Sequence, residues 1–206
     1  SKQSSSDIAA GTTALIDVKE YNKILSYDDI NRRITVQSGI LLKDLIESVE
    51  AKGWCIPCLP DINTITIGGA IATGTHGTSG HLLSEYITKC KLVLADGMVI
   101  EITNEDDLLN AVSVSIGTLG VFSEITFQCE ESYTLHLKEG PEKDSEWLAN
   151  INDNIVKYDF LRILWLPHTG NGYVIKGKKI NPDKSITTKN GPSHLKHRRA
   201  ASKLLY

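Results

Sequence analysis

The stretch IGGAIATGTHGTSG, residues 67–80, restricts the fold more than any other part of the sequence. Within fourteen positions it sets Gly68, Gly69, Gly74, Gly77 and Gly80 beside the hydroxyls of Thr73, Thr75, Thr78 and Ser79 and a single histidine, His76. A tight turn needs one or two special positions. A density this high means that the backbone itself must come close to something bulky. A Walker phosphate loop requires a Gly-Lys-Ser/Thr ending, and the stretch has no lysine. A Rossmann fingerprint requires G-x-G-x-x-G between strand and helix with an acidic residue further on, and the glycines are not at that spacing. A purely structural glycine turn explains part of the cluster. A backbone cradle, with successive N–H groups and threonine hydroxyls turned toward an anion or a flat cofactor, explains the number and order of small residues better.

Around this stretch the chain alternates strand-like and helix-like signals, which predicts a mixed α and β fold. TALIDV and RRITVQSG read as short apolar or β-branched runs, and ILLKDLIESVEAKG carries Leu42, Leu45, Ile46 and Val49 at the spacing of an amphipathic helix stopped by Gly53. LSEYITKC is predicted helical, KLVLADGMVIEI a hairpin turning at Asp96-Gly97, EDDLLNAVSVSIGTLG a further helix, and VFSEITFQCEE a strand. After Tyr133 the texture becomes polar and then amphipathic, with DFLRILWLPH and GYVIKGKKI as a strand pair. Residues 1–131, 132–180 and 181–206 are expected to be a first domain, the start of a second, and a mobile Lys/Ser/Asn-rich tail.

A formal net charge of −3 over 206 residues gives no field for nucleic acid, and the basic HLKHRR is a local feature. No apolar run approaches the roughly 18 to 20 residues of a membrane span, so the chain as given reads as soluble. CIPCLP holds a C-x-x-C, but Pro57 and Pro60 deny it the helix start that activates a thioredoxin-type thiol. Zinc would need further ligands at a familiar spacing, so no metal is expected, at His76 and His81 included. Cys55 and Cys58 are read as small apolar residues on an extended segment.

GGAIATGTHGTSG, KLVLADGMVIEI and SIGTLGVFSEITFQ together resemble the FAD-binding domain of the aldonolactone oxidoreductases, a group within the vanillyl-alcohol-oxidase-like (PCMH-type) flavoproteins. The likeness runs through LIDVKEYNKIL and ITVQSGILLKDLIESVEAKG, and reaches FLRILWLPHT, similar to the start of the family's sugar-lactone domain. The resemblance implies an α+β fold of two subdomains holding FAD between them, followed by a substrate domain. It implies oxidation of a sugar 1,4-lactone of the gulono-, galactono- or arabinono- type by hydride transfer to flavin, in ascorbate-type biosynthesis, with dioxygen or a cytochrome as electron acceptor. Carried over position by position, Thr66, Gly68, Gly69, Ala72, Thr73, Gly74, Thr75, His76 and Gly77 match the cofactor-binding segment. Gly117, Gly120 and Val121 match a second glycine pair, and Ile125 a position whose backbone contacts the cofactor. Ser4 and Ser6 match an N-terminal block.

At that block the sequence departs from the family. Many relatives carry a histidine there that bonds covalently to flavin, and Gln3 stands in its place, so the implied FAD is noncovalent. Met98 is the only methionine, and the family's earlier glycines and later substrate-binding segment have no counterpart, so the chain reads as truncated at both ends. Poor solubility or self-association is expected wherever apolar faces are left uncovered. The alternative to an enzyme is a noncatalytic relative that keeps the scaffold. An intact relative is expected at an organelle membrane or in the cytoplasm. Glu124, Arg162 and His168 are candidate polar groups near the flavin, each with a structural reading beside it: Glu124 on the solvent side of an alternating strand, Arg162 and His168 on a half-buried strand. No catalytic base is assigned.

Overall fold

The computed structural model describes residues 15–180 together with Asp7. The expectations for Gln3, Ser4, Ser6 and the tail at 181–206 lie outside the described residues. Five strands form the larger sheet: β1 (Ile24–Asp28), β2 (Arg33–Gln37), β4 (Ile87–Val93), β5 (Val99–Thr103) and β6 (Val121–Gln128), in the order β1-β2-β6-β4-β5, every pair antiparallel. Alternation sets the faces. Ile34 and Val36 of β2 point into the core while Arg33, Thr35 and Gln37 point away. The central strand β6 contributes Phe122, Ile125 and Phe127 to the same core.

Helix α1 (Leu42–Glu50) closes that core, burying Leu42, Leu45 and Val49, the residues that the spacing predicts. Its first free N–H groups are satisfied by the chain rather than by a cap: Leu42 donates to Ile65 O and Lys43 to Asn63 O, each at 2.9 Å. The short helix α2 (Ile67–Ala72) lies within the glycine-rich stretch and buries Ile67, Ala70 and Ile71. Two glycines make this a poor helix by propensity, so burial of its apolar side is what holds it. The two-residue strands β3 (Trp54–Cys55) and β7 (Glu130–Glu131) pair beside the main sheet.

Beyond Ser132 a separate three-stranded sheet forms from β8 (Thr134–Lys143), β9 (Phe160–Leu166) and β10 (Asn171–Ile180), with β10 in the middle. The strand pair read from DFLRILWLPH and GYVIKGKKI is present as β9 and β10. Two short helices, α4 (Asp144–Ala149) and α5 (Ile151–Lys157), connect β8 to β9.

Two expectations are corrected. LSEYITKC is not a helix: a single 3-10 turn at Leu83–Tyr86 leads directly into β4, where Ile87, Cys90 and Leu92 are buried between two partner strands. Pairing on both edges outweighs the helical pattern of so short a run. The helix expected across 105–120 shrinks to α3 (Leu108–Val112). Beyond it Val114 (φ 64°) and Ile116 (φ 57°) are left-handed, a conformation that β-branched residues resist. It is held there because Val114 N–H donates to Ile71 O at 3.2 Å and Ile116 N–H to Ala72 O at 2.9 Å, capping the end of α2.

Candidate functional site

The glycine-rich stretch serves three different purposes. Gly77 answers to the protein itself: a Cβ there would sit 2.4 Å from Leu59 O, against main chain that cannot yield. Gly68 is also packed by the protein, with Ser38 Cβ 3.0 Å from the place of its missing Cβ and its N–H donating to Ser38 O at 2.8 Å. Gly74 is left-handed at φ 65° and lies against Val114. Gly69 is different. It is exposed, its missing Cβ would approach only Thr66 Oγ1, at 3.1 Å, and its N–H donates to no acceptor among the described residues.

Thr66 is the residue before α2 and makes no side-chain cap. The Thr73 hydroxyl is committed to Gly69 O at 2.8 Å, while Thr75 N–H donates to Ala70 O and Thr75 O accepts from Leu83 N–H. Ala72 is half-buried at the end of α2. Gly120 (φ 151°) lets β6 start against Val93 O, 2.5 Å from where a Cβ would be. Ile125 stands apart from the others: fully buried on β6, it faces Val36 on one side and Cys90 on the other.

A buried thiol fastens the stretch. Cys58 is fully buried; its Sγ accepts from Gly77 N–H at 3.2 Å and donates to His81 O at 3.1 Å. The other half of the C-x-x-C, Cys55, is pushed up to about 11, chiefly by burial, which keeps it a neutral thiol. Glu85 accepts from Leu82 N–H at 2.8 Å and sits 2.7 Å from His81 Nδ1. These two contacts, the backbone one first, hold its carboxyl below the usual range.

Where this stretch meets the second sheet there is a cleft of about 440 Å³, lined by Pro60, Asp61, Ile62, Ile65, Thr75, His76, Gly77, Thr78 and Arg162. His76 is exposed at its edge, with Nδ1 3.1 Å from Gly77 O. Of the three candidate polar groups, only Arg162 reaches this cleft. Glu124 is on the other face of the large sheet, 2.9 Å from Lys91 Nζ, the strand-side role that alternation suggested. His168 is exposed and left-handed (φ 66°) in the β9–β10 turn rather than on the strand. Sequence reasoning missed Ser38, whose buried Oγ has no hydrogen-bond partner among the described residues. A lone serine before a glycine carries no pattern that would have marked it.

Residues 1–103 match the family model of an FAD binding domain, and residues 125–204 that of D-arabinono-1,4-lactone oxidase. The L-gulonolactone oxidase of Mus musculus is 32% identical over 186 residues, covering 88% of this chain and 42% of that protein. That of Scyliorhinus torazame is 31% identical over 182 residues, covering 86% and 41%. The chain belongs to the aldonolactone oxidoreductase family. It spans about two fifths of the length of these members. Among solved structures, alkyldihydroxyacetonephosphate synthase superposes with a TM-score of 0.70 at 16% identity, over 80% of this chain and 38% of that one. Cholesterol oxidase from Brevibacterium sterolicum gives 0.64 at 14% identity, over 77% and 34%. The fold of this family member is therefore that of the vanillyl-alcohol-oxidase-type FAD-binding proteins. No helix among the described residues is long and apolar enough to cross a membrane.

The residues present fit an FAD. The exposed Gly69, whose N–H donates to no acceptor among the described residues, and the left-handed Val114, Ile116 and Gly117, the last with nothing near its missing Cβ, make a main-chain surface that a flat or anionic group can approach.

Proposed function

We propose that this aldonolactone oxidoreductase chain supplies the cofactor-binding part of an enzyme that oxidises a sugar 1,4-lactone, and that its division falls at residues 131/132. Thr66, Gly68, Gly69, Ala72, Thr73, Gly74, Thr75, His76 and Gly77 would hold FAD, with Gly120 and Ile125 contributing main chain and Ser4 and Ser6 the N-terminal block. Bound there, FAD supplies a two-electron acceptor for a hydride from carbon. The chain's own part is placement. The Gly69 N–H donates without ordering a rotamer, and the bonds that commit the neighbouring N–H groups of Gly68, Thr75 and Gly77 to Ser38, Ala70 and Cys58 fix the main chain around it beforehand. Pro60, Ile62 and Ile65 give the cleft an apolar wall that limits water, and His76 and Arg162 give it polar groups suited to a hydroxyl or carbonyl. With Gln3 where relatives carry the linking histidine, FAD is held noncovalently. The relatives' names support the lactone, and the electron acceptor is dioxygen or a cytochrome.

The observation that carries this reading is Gly69, an exposed glycine whose N–H donates to no acceptor among the described residues. The test is an absorption spectrum of the chain incubated with excess FAD and desalted, then of the supernatant after acid precipitation. Retained flavin bands that acid releases are expected. Colourless protein with native circular dichroism would leave a noncatalytic scaffold, and flavin remaining with the precipitate would overturn the noncovalent assignment.

A further inference from the structure

Strand β9 is tied to two segments of the cleft's lining by consecutive residues. Leu161 N–H donates to Thr78 O at 3.1 Å, on the glycine-rich lip. Arg162 Nη1 lies 2.6 Å from Asp61 Oδ1, in the segment that follows Cys58 and Leu59 and also lines the cleft. A strand's N–H groups lie in the plane of its sheet while its side chains leave that plane, so the two contacts hold β9 in two directions: main chain along one, guanidinium along the other. The Arg162 side chain is only 28% exposed whereas that of Asp61 is 58% exposed, so the arginine is the anchored member and the aspartate the one being held.

We infer that Asp61 and Arg162 are a positioning pair that fixes the second sheet across the cleft and thereby sets its width. An ion pair with this much exposure adds little to global stability. What it adds is direction, since a planar guanidinium holds a carboxylate in one orientation and an ammonium does not. The pair also neutralises Arg162, so the cleft wall offers a polar but balanced surface, matched to an uncharged lactone more than to a free sugar acid. That consequence for substrate rests on the oxidase reading above. The latch itself does not.

Hydrogen–deuterium exchange on the chain without added FAD therefore tests the latch alone. In Arg162→Ala and in Asp61→Asn the Leu161 amide is expected to exchange about two- to fivefold faster, the range for a partly exposed pair, while the Ile125 amide in β6 keeps its rate. The double variant should be no faster than either single one, Arg162→Lys should recover part of the protection, and the reversed pair Asp61→Arg with Arg162→Asp should restore most of it. Single effects that add in the double variant, an equal rise at Ile125, or an unchanged Leu161 amide would each overturn the inference. Failure of flavin binding would leave these outcomes untouched.

Discussion

At the scale of single residues, neighbouring glycines can be required for opposite reasons, and substitution separates them. Gly77→Ala forces a methyl group against Leu59 O and should cost about 2–4 kcal/mol in urea unfolding, as overpacking against main chain does. Gly69→Ala meets only a threonine hydroxyl and improves helix propensity, so stability should change by less than about 1 kcal/mol. Flavin retention should nevertheless fall in Gly69→Ala, because the added methyl group occupies the approach to the free N–H. A second residue-scale expectation concerns acid. The Glu85 carboxyl is lowered in the folded state, so its contribution is complete above the ordinary carboxylate range, about 4.3, and is lost as pH falls through the folded value. The difference in urea midpoint between the wild-type chain and Glu85→Gln should accordingly be constant near neutral pH and shrink below about pH 4.

At the scale of elements, the left-handed Val114 and Ile116 trade conformational strain for capping α2. Ile116 is exposed, so its side chain contributes little to compensate. Replacing it with glycine should relieve about 1 kcal/mol of strain, visible as a thermal midpoint a few degrees higher, with the Ala72 cap retained. This segment also shows why the sequence was only partly legible. Helix α1 could be read because Leu42, Leu45 and Val49 repeat at the helical period and face one core. The α3 region shows a similar apolar repeat, but its course is decided by two distant carbonyls at Ile71 and Ala72 that no local pattern reveals. The proposed cradle shows in the sequence as a density of glycines. That Gly77 and Gly68 answer to Leu59 and Ser38 was not, since both contacts come from elsewhere in the chain. Arg162 read equally well as structural or functional, and only the position of Asp61 in the cleft's lining decides that it reaches the site.

At the scale of the molecule, two antiparallel sheets meet at a few defined points: Ser132 N–H to Gly53 O, Lys179 to Glu130, and the two β9 contacts at Thr78 and Asp61. The cleft lies at that meeting, so what happens to the small sheet bears on the site. In that sheet the last of the three described strands, β10, is the one in the middle, pairing both β8 and β9 along their full lengths. During synthesis at about 5–20 residues per second, neither outer strand has a partner until residues 171–180 have emerged. The FLRILWL segment of β9, apolar apart from one arginine, must wait unpaired and adhesive in the interval. A chain ending at residue 168 should therefore be cut by protease throughout 134–166 while the larger sheet at 33–128 resists. Of the three described strands the last to arrive is the keystone, and a ribosome that pauses just before it leaves the apolar FLRILWL strand without its partner.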